Sequence, residues 1–325
     1  MSAPLRDRLT IVMTSSAMPA NPSTSVLATV VESFRHVPDL LSCDVVVVFD
    51  GCARVAAGDG VSVKFKSMRI TDEQAVRYVQ FQRRAISLVQ MAFGVGGEPT
   101  VSLQAAPIGA NTMAHATVEQ YGNEQSITVL KLSQRFGFAL AVRQALHNVD
   151  TPFVMVYQHD WAFLHHVPLG AVLDVMDRNA DTVKYVGFAS KRSQKRNGTR
   201  QSVPVCAPQV FEGQVILSPL YFWYDKPHVA YRKHYMEFVF GRQRFQAGNF
   251  IEDTMGHVML DEIRRLGASA HAAYGTWTLE CDQPTLRHVN GRLFRETIII
   301  ERPTPGRADA APVDDDFDPS GYVSL

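Results

Sequence analysis

Three apolar runs of strand length stand out along the chain: Leu9 to Thr14, Asp44 to Asp50 and Phe153 to Tyr157. Continuous runs of this kind mark strands buried on both faces, as in parallel sheets. Between the first two, Val26, Leu27, Val30, Val31 and Phe34 recur at helical spacing, after a Ser-, Thr-, Pro- and Asn-rich loop from Ser15 to Ser25. Strand, helix, strand in this order predicts a right-handed parallel crossover. Thr71 and Gln74 have capping-box spacing and predict a helix through about Phe93. Phe136 to Leu146 predicts another helix, ended by the Asn148 to Pro152 segment because the residue before a proline avoids the α region.

Further strands are predicted at Ile127 to Leu132, Lys184 to Ala189 and Val215 to Leu220. A helix is predicted over the segment holding His228, Tyr231, Arg232, His234 and Tyr235, and another over Val258, Met259 and Ile263. The stretch from Gly94 to Gln125 lacks clean periodicity and reads as an irregular insertion. The pattern as a whole predicts an α/β fold: one domain over 1–301 built on a Rossmann-like, mostly parallel sheet flanked by helices, with a nucleotide-binding half at about 9–161 and a mixed α/β acceptor half at about 162–301. The Pro-, Asp- and Ala-rich segment 302–325 predicts a disordered tail.

Composition narrows the class. A chain of 325 residues can bury a sizeable core. Lys plus Arg and Asp plus Glu both number 32, so net charge points to neither nucleic acid nor an anionic membrane. Cys43, Cys52, Cys206 and Cys281 are scattered, which argues against a zinc cluster or disulfide framework and for a reducing compartment. The N-terminal apolar run is too short for a signal peptide, and no run approaches membrane-spanning length. The expectation is a cytoplasmic enzyme with no transmembrane segment. The basic run from Lys191 to Arg200 reads as a solvated loop.

Chemistry collects where the strands end. Gln158, His159 and Asp160 emerge at the carboxyl end of the third apolar run, the position at which open α/β sheets bind ligands. Divalent cations such as Mg2+ and Mn2+ take oxygen ligands, and one or two carboxylates plus substrate phosphates suffice. Asp160 could anchor such an ion, while strand alternation turns His159 away from it. Asp50 closes the second run before Gly51, either as an ordinary turn aspartate or as a ligand contact. Thr14 and Ser15 sit at the end of the first.

A helix leading into an apolar strand that ends at Gln158-His159-Asp160 resembles the family-two inverting glycosyltransferases of the GT-A fold, over roughly residues 9 to 260. Their Asp-X-Asp motif falls on Gln158, His159 and Asp160, so Gln158 stands where the first aspartate is expected. The resemblance implies a nucleotide-sugar donor, a glycan or other hydroxyl acceptor, and Mn2+ or Mg2+ at Asp160. It implies that Asp50 meets the nucleoside with Thr14 and Ser15 beside it, and that Arg135, Gln158 and His159 lie near the diphosphate. It implies that His288, Arg287 and Arg292 return from the C-terminal segment to the metal and diphosphate. Glu252-Asp253 matches the family's Glu-Asp pair, whose aspartate is the general base. Trp161 and Trp223 are candidate sugar-stacking residues.

Two other classes remain open: a nucleotidyltransferase of related topology, and a non-catalytic nucleotide-sugar-binding relative. The Ser15 to Ser25 loop has no Gly, Arg or Lys, which argues against the first.

Overall fold

The computed structural model describes residues 3–55, 64–108, 112–123, 126–191 and 207–289. A short helix, α1 (Leu5–Arg8), leads into β1 (Leu9–Ser15), all seven residues of which are buried. Helix α2 (Ser25–Ser33) then crosses to β2 (Asp44–Phe49), which pairs in parallel with β1 from Thr10 opposite Asp44 to Ser15 opposite Phe49. Strands β3 (Ala53–Arg54) and β4 (Arg69–Ile70) form a separate two-stranded ribbon.

Helix α3 (Asp72–Phe93) begins at the expected capping box: Gln74 N–H donates to Thr71 Oγ1 at 3.2 Å and Thr71 N–H donates to Gln74 Oε1 at 3.0 Å. It ends at Gly94, whose φ of 69° suits a residue without a Cβ.

The segment expected to be irregular is instead a hairpin. Strands β5 (Thr100–Pro107) and β6 (Met113–Tyr121) pair antiparallel from Thr100 opposite Gln120 to Pro107 opposite Met113. Val101 and Leu103 on β5 are 60% and 70% exposed, so the alternation that betrays a half-buried strand is missing there.

Strand β7 (Ile127–Leu132) lies between β6 and β2. Helix α4 (Phe138–Leu146) returns the chain to β8 (Phe153–Gln158), which runs parallel to β1 with Thr14 opposite Gln158. Then follow β9 (Trp161–Phe163), α5 (Leu169–Arg178), β10 (Tyr185–Phe188), β11 (Gln209–Val210), β12 (Ile216–Pro219) and β13 (His228–Tyr231).

Strand β13 is a second correction, since His228 and Tyr231 were expected on a helix. The helical run begins only at Arg232, and four extended residues joined directly to a helix carry too few repeats to separate the two periods. The last elements are α6 (His257–Leu266), entered through the helical turn Glu252–Gly256, then β14 (Thr276–Leu279) and β15 (Leu286–His288), which pairs with β9.

Among the described residues the main sheet has eleven strands, ordered β11-β12-β14-β10-β13-β8-β1-β2-β7-β6-β5. Its centre, β8-β1-β2-β7, is parallel, and the pairings outside it are antiparallel except for β10 with β14, which is parallel. Alternation along the central strands builds a core on each face. Ile11, Met13, Val45 and Val47 pack with α2, α3 and α5, while Val12, Val46 and Val48 pack with α4 and α6. Burying each such side chain stabilises the fold by about 1.5–3 kcal/mol. The observed class is the expected one, α/β with helices on both faces of a sheet whose centre is parallel. No helix among the described residues is long and apolar enough to cross a membrane.

Candidate functional site

The carboxyl ends of β8, β1 and β2 lie side by side, and a cleft opens over them. It holds about 840 Å3 of space, part of it open to solvent. Thr14 and Ser15 from β1, Gln158 from β8, and Asp50, His159 and Asp160 just past the ends of β2 and β8 all line it, together with Arg135, Gly137, Gly248 and Phe250. Residues that the sequence places at three separate strand ends are thus brought together in one site.

Asp50 is 6% exposed and clasps the loop that starts α4. Its Oδ1 accepts the Phe136 N–H at 2.7 Å and its Oδ2 the Gly137 N–H at 3.0 Å. Burial pushes its carboxyl up to about 6, against the opposing pull of those two N–H donors and the Arg135 guanidinium. Gly51 lets the loop close: a Cβ there would lie 2.4 Å from the Gln134 carbonyl carbon and oxygen.

Two glycines build part of the wall. Gly137 and Gly248 have φ of 77° and 89°, and a Cβ on Gly137 would sit 2.3 Å from Gly248 Cα. The Gly248 N–H donates to Phe136 O at 2.8 Å, and the Ala139 N–H to Asn249 O at 3.1 Å. The guanidinium of Arg135 lies in the space a Cβ on Gly248 would take, 2.4 Å from that position. Local sequence pattern marks neither glycine as a cleft residue.

At the end of β8, the Gln158 amide Nε2 donates to Asp225 O at 3.0 Å. His159 is buried and turned inward, Nδ1 3.3 Å from Thr14 O and Nε2 2.7 Å from Met18 Sδ. Asp160 Oδ2 lies 3.1 Å from His288 Nε2, because β15 pairs with β9 and sets His288 opposite Trp161. Ser15 Oγ is buried with no hydrogen-bond partner among the described residues. Those residues contain no group of three or more His, Cys, Asp or Glu disposed to hold a metal.

The other expected residues spread out. Trp161 is half-buried beside the cleft, its ring 5.0 Å from that of His288 and 5.7 Å from Lys226 Nζ. Trp223 is fully buried, packed on Tyr185 at 4.7 Å and Tyr235 at 5.3 Å, so it serves the core and cannot stack on a sugar. Arg287 is exposed, and Arg292 lies outside the described residues, as do 302–325 and most of the basic run after Lys191. Asp253 is exposed and Glu252 half-buried on the turn that enters α6, and neither is among the residues lining the cleft.

Asp225, which the sequence presents as an ordinary turn residue before Lys226-Pro227, reaches both regions. Its N–H donates to Glu252 Oε2 at 3.2 Å and its Oδ2 accepts the Glu252 N–H at 3.3 Å. Burial, then the charge of Glu252, holds its carboxyl well above the usual range.

No protein-family model matches the chain, and no curated protein sequence matches it. Solved structures do. S. aureus TarS 1–349 in complex with UDP-GlcNAc is similar at 10% identity and a TM-score of 0.42, over 86% of this chain and 57% of that one. Glucosyl-3-phosphoglycerate synthase from Mycobacterium tuberculosis, in complex with Mn2+, UDP and glucosyl-3-phosphoglycerate, is similar at 12% identity and a TM-score of 0.39, over 87% of this chain and 72% of that one. CMP:2-keto-3-deoxy-manno-octonic acid synthetase complexed with CTP is similar at 11% identity and a TM-score of 0.38, over 84% and 88%. This chain spans less than two thirds of TarS 1–349. The likeness is one of chain path, and it extends to glycosyltransferases and nucleotidyltransferases alike.

Proposed function

We propose that the chain is a glycosyltransferase, moving a sugar from a nucleoside diphosphate to a hydroxyl of a glycan or other acceptor, with inversion at the anomeric carbon. One observation carries the reading: Asp160 at the end of β8 meets His288 at 3.1 Å on a cleft that Arg135 also lines. A carboxylate backed by an imidazole, with a guanidinium lining the same cleft, suits a diphosphate and its counter-ion. Asp160 and His288 fit Mn2+ or Mg2+ as an incomplete ligand set, since such ions keep waters and take substrate phosphates. When bound, the ion would offset the charge of the leaving diphosphate.

The chain's own groups do the rest. Ser15 Oγ, buried without a protein partner, offers the donor a hydrogen bond. Thr14 and the clasp of Asp50 set the nucleoside end, and Arg135 draws in the anionic phosphates. Asp253 takes the proton of the acceptor hydroxyl, with Glu252 in support. The freed oxygen bonds to the anomeric carbon as the bond to the diphosphate breaks, and the electron pair departs with the diphosphate. Trp161 is the remaining candidate for a sugar face.

A thermal-shift panel of UDP-, GDP- and CMP-sugars, with and without Mn2+, followed by product detection, tests the reading. Stabilisation by a nucleotide sugar with release of nucleoside diphosphate supports it. Release of pyrophosphate from a nucleoside triphosphate moves the chain to the nucleotidyltransferases, and binding without turnover to the non-catalytic class.

A further inference from the structure

Asp225 sits in the connection between β12 and β13, 3% exposed, and belongs to neither wall of the cleft. Yet it bonds to both sides of the proposed chemistry. Its backbone carbonyl holds the Gln158 amide at 3.0 Å, two residues before Asp160. Its N–H and its Oδ2 exchange bonds with Glu252 at 3.2 Å and 3.3 Å, one residue before Asp253. Each half of this clasp pairs a carboxylate oxygen with a backbone N–H, and so fixes backbone as well as side chain.

We propose that Asp225 is a positioning residue which ties the strand end Gln158–Asp160 to the acid turn Glu252–Asp253, so that the donor-side and acceptor-side groups keep one fixed relation. Its role in transfer rests on the function proposed above; the tie itself does not.

The surroundings say in which form Asp225 works. The titratable groups acting on it are Glu252 and Asp253 from the turn, Tyr185 from β10 and Tyr235 from the helical run 232–242. Lys226 next in the chain turns its ammonium to Ser190 Oγ at 3.3 Å and toward the Trp161 and Tyr224 rings. Two carboxylates this close do not both ionise at low energy. Burial, then the charge of Glu252, raises the Asp225 carboxyl, so Asp225 keeps its proton. A neutral side chain of the same shape should therefore do the same work: Asn keeps a carbonyl oxygen for the Glu252 N–H, whereas Ala keeps only the backbone half of the clasp.

The test reads the tie directly and needs no donor. Hydrogen exchange of the Gln158 side-chain amide, followed by NMR in the full chain, reports whether Asp225 O still holds it. Asp225→Ala should speed that exchange about ten-fold, the loss expected for one net hydrogen bond, while Asp225→Asn leaves it near wild type. If Asp225→Ala fails to fold, Glu252→Ala breaks the clasp from its half-buried side and should show the same acceleration. Thermal unfolding against pH is the second readout. The folded-state value of Asp225 is raised, so its contribution is complete in acid and lost as pH rises through that value; the wild type should lose stability relative to Asp225→Asn as pH rises. Unchanged Gln158 exchange in Asp225→Ala or Glu252→Ala, or an Asn variant no better than Ala, overturns the inference. A wild-type protein that ignores UDP and GDP overturns the proposed function and leaves these readouts intact.

Discussion

His288 Nε2 lies 3.1 Å from Asp160 Oδ2 although 128 positions separate them in the chain. The contact is made by backbone pairing: β15 lies antiparallel to β9, Arg287 opposite Ala162 and His288 opposite Trp161, and the Val289 N–H closes onto Asp160 O at 2.7 Å. A three-residue strand therefore brings an imidazole to the carboxylate that follows β8.

Removing either member should separate metal from nucleotide. In wild type, UDP or GDP with Mn2+ is expected to raise the melting temperature more than either alone. Asp160→Ala should abolish that synergy and transfer, and His288→Ala should weaken it, with both variants melting near wild type in the absence of ligand. Full transfer activity in excess chelator would sink the metal assignment while leaving the cleft intact.

Asp50 should give the fold a pH dependence of definite sign. Its folded-state value of about 6 lies above the ordinary carboxyl value of 3.8, so folding favours the protonated form. Its contribution is complete below pH 3.8 and is lost as pH rises through about 6, a change of roughly 3 kcal/mol. In Asp50→Asn that dependence should vanish, so wild-type stability measured relative to the variant falls between about pH 4 and pH 6. Asp50→Ala should also weaken binding of the nucleoside diphosphate and of the intact donor together, because the loop from Arg135 to Gly137 loses its clasp. Parallel pH curves, or unchanged affinity for both ligands, would return Asp50 to the role of a plain turn residue.

The parallel centre and α3 were legible because local signals agree with the tertiary outcome. β1, β2 and β8 are continuous buried runs, and Thr71 and Gln74 form the box that their spacing announces. The β5–β6 hairpin was not, because Val101 and Leu103 face solvent and leave no apolar alternation to read. In the site, Asp50 and Asp160 could be found as polar residues closing apolar strands. Asp225 and Gly248 could not. Asp225 acts through its backbone on Gln158, 67 positions away, and Gly248 matters only because Gly137 and Arg135 press on it, which local pattern does not encode.

That pair of glycines should respond unequally to the same small change. A Cβ on Gly137 meets the Gly248 backbone at 2.3 Å to 2.8 Å, which cannot move aside without opening the wall, and its φ of 77° disfavours alanine as well. A Cβ on Gly248 meets the far end of the Arg135 side chain at 2.4 Å to 2.8 Å, which can swing away. Gly137→Ala should therefore lower stability by about 3 kcal/mol or more, and Gly248→Ala by about 1–2 kcal/mol, chiefly from backbone strain. Binding should invert the emphasis, with Gly248→Ala losing affinity for UDP or GDP in calorimetry because Arg135 is displaced. Equal melting temperatures for the two variants would show that the wall is softer than these contacts imply.

The base assignment makes the sharpest demand on chemistry. Asp253→Asn keeps the shape and the capping ability of the side chain but cannot take a proton, so turnover should fall roughly 10²-fold or more with donor affinity nearly unchanged. Glu252→Gln should cost less, since its Oε1 still accepts the Asp225 N–H and the turn stays in place. Asp253 is exposed on that turn, outside the lining of the cleft, so an acceptor has to approach from the α6 side and lie between it and the donor. A base on the face opposite the leaving diphosphate permits one displacement, and the product should carry the inverted anomer by NMR. A retained anomer, or an Asp253→Asn variant as fast as wild type, removes Asp253 from the mechanism and leaves Glu252, tied to Asp225, as the acid to test next.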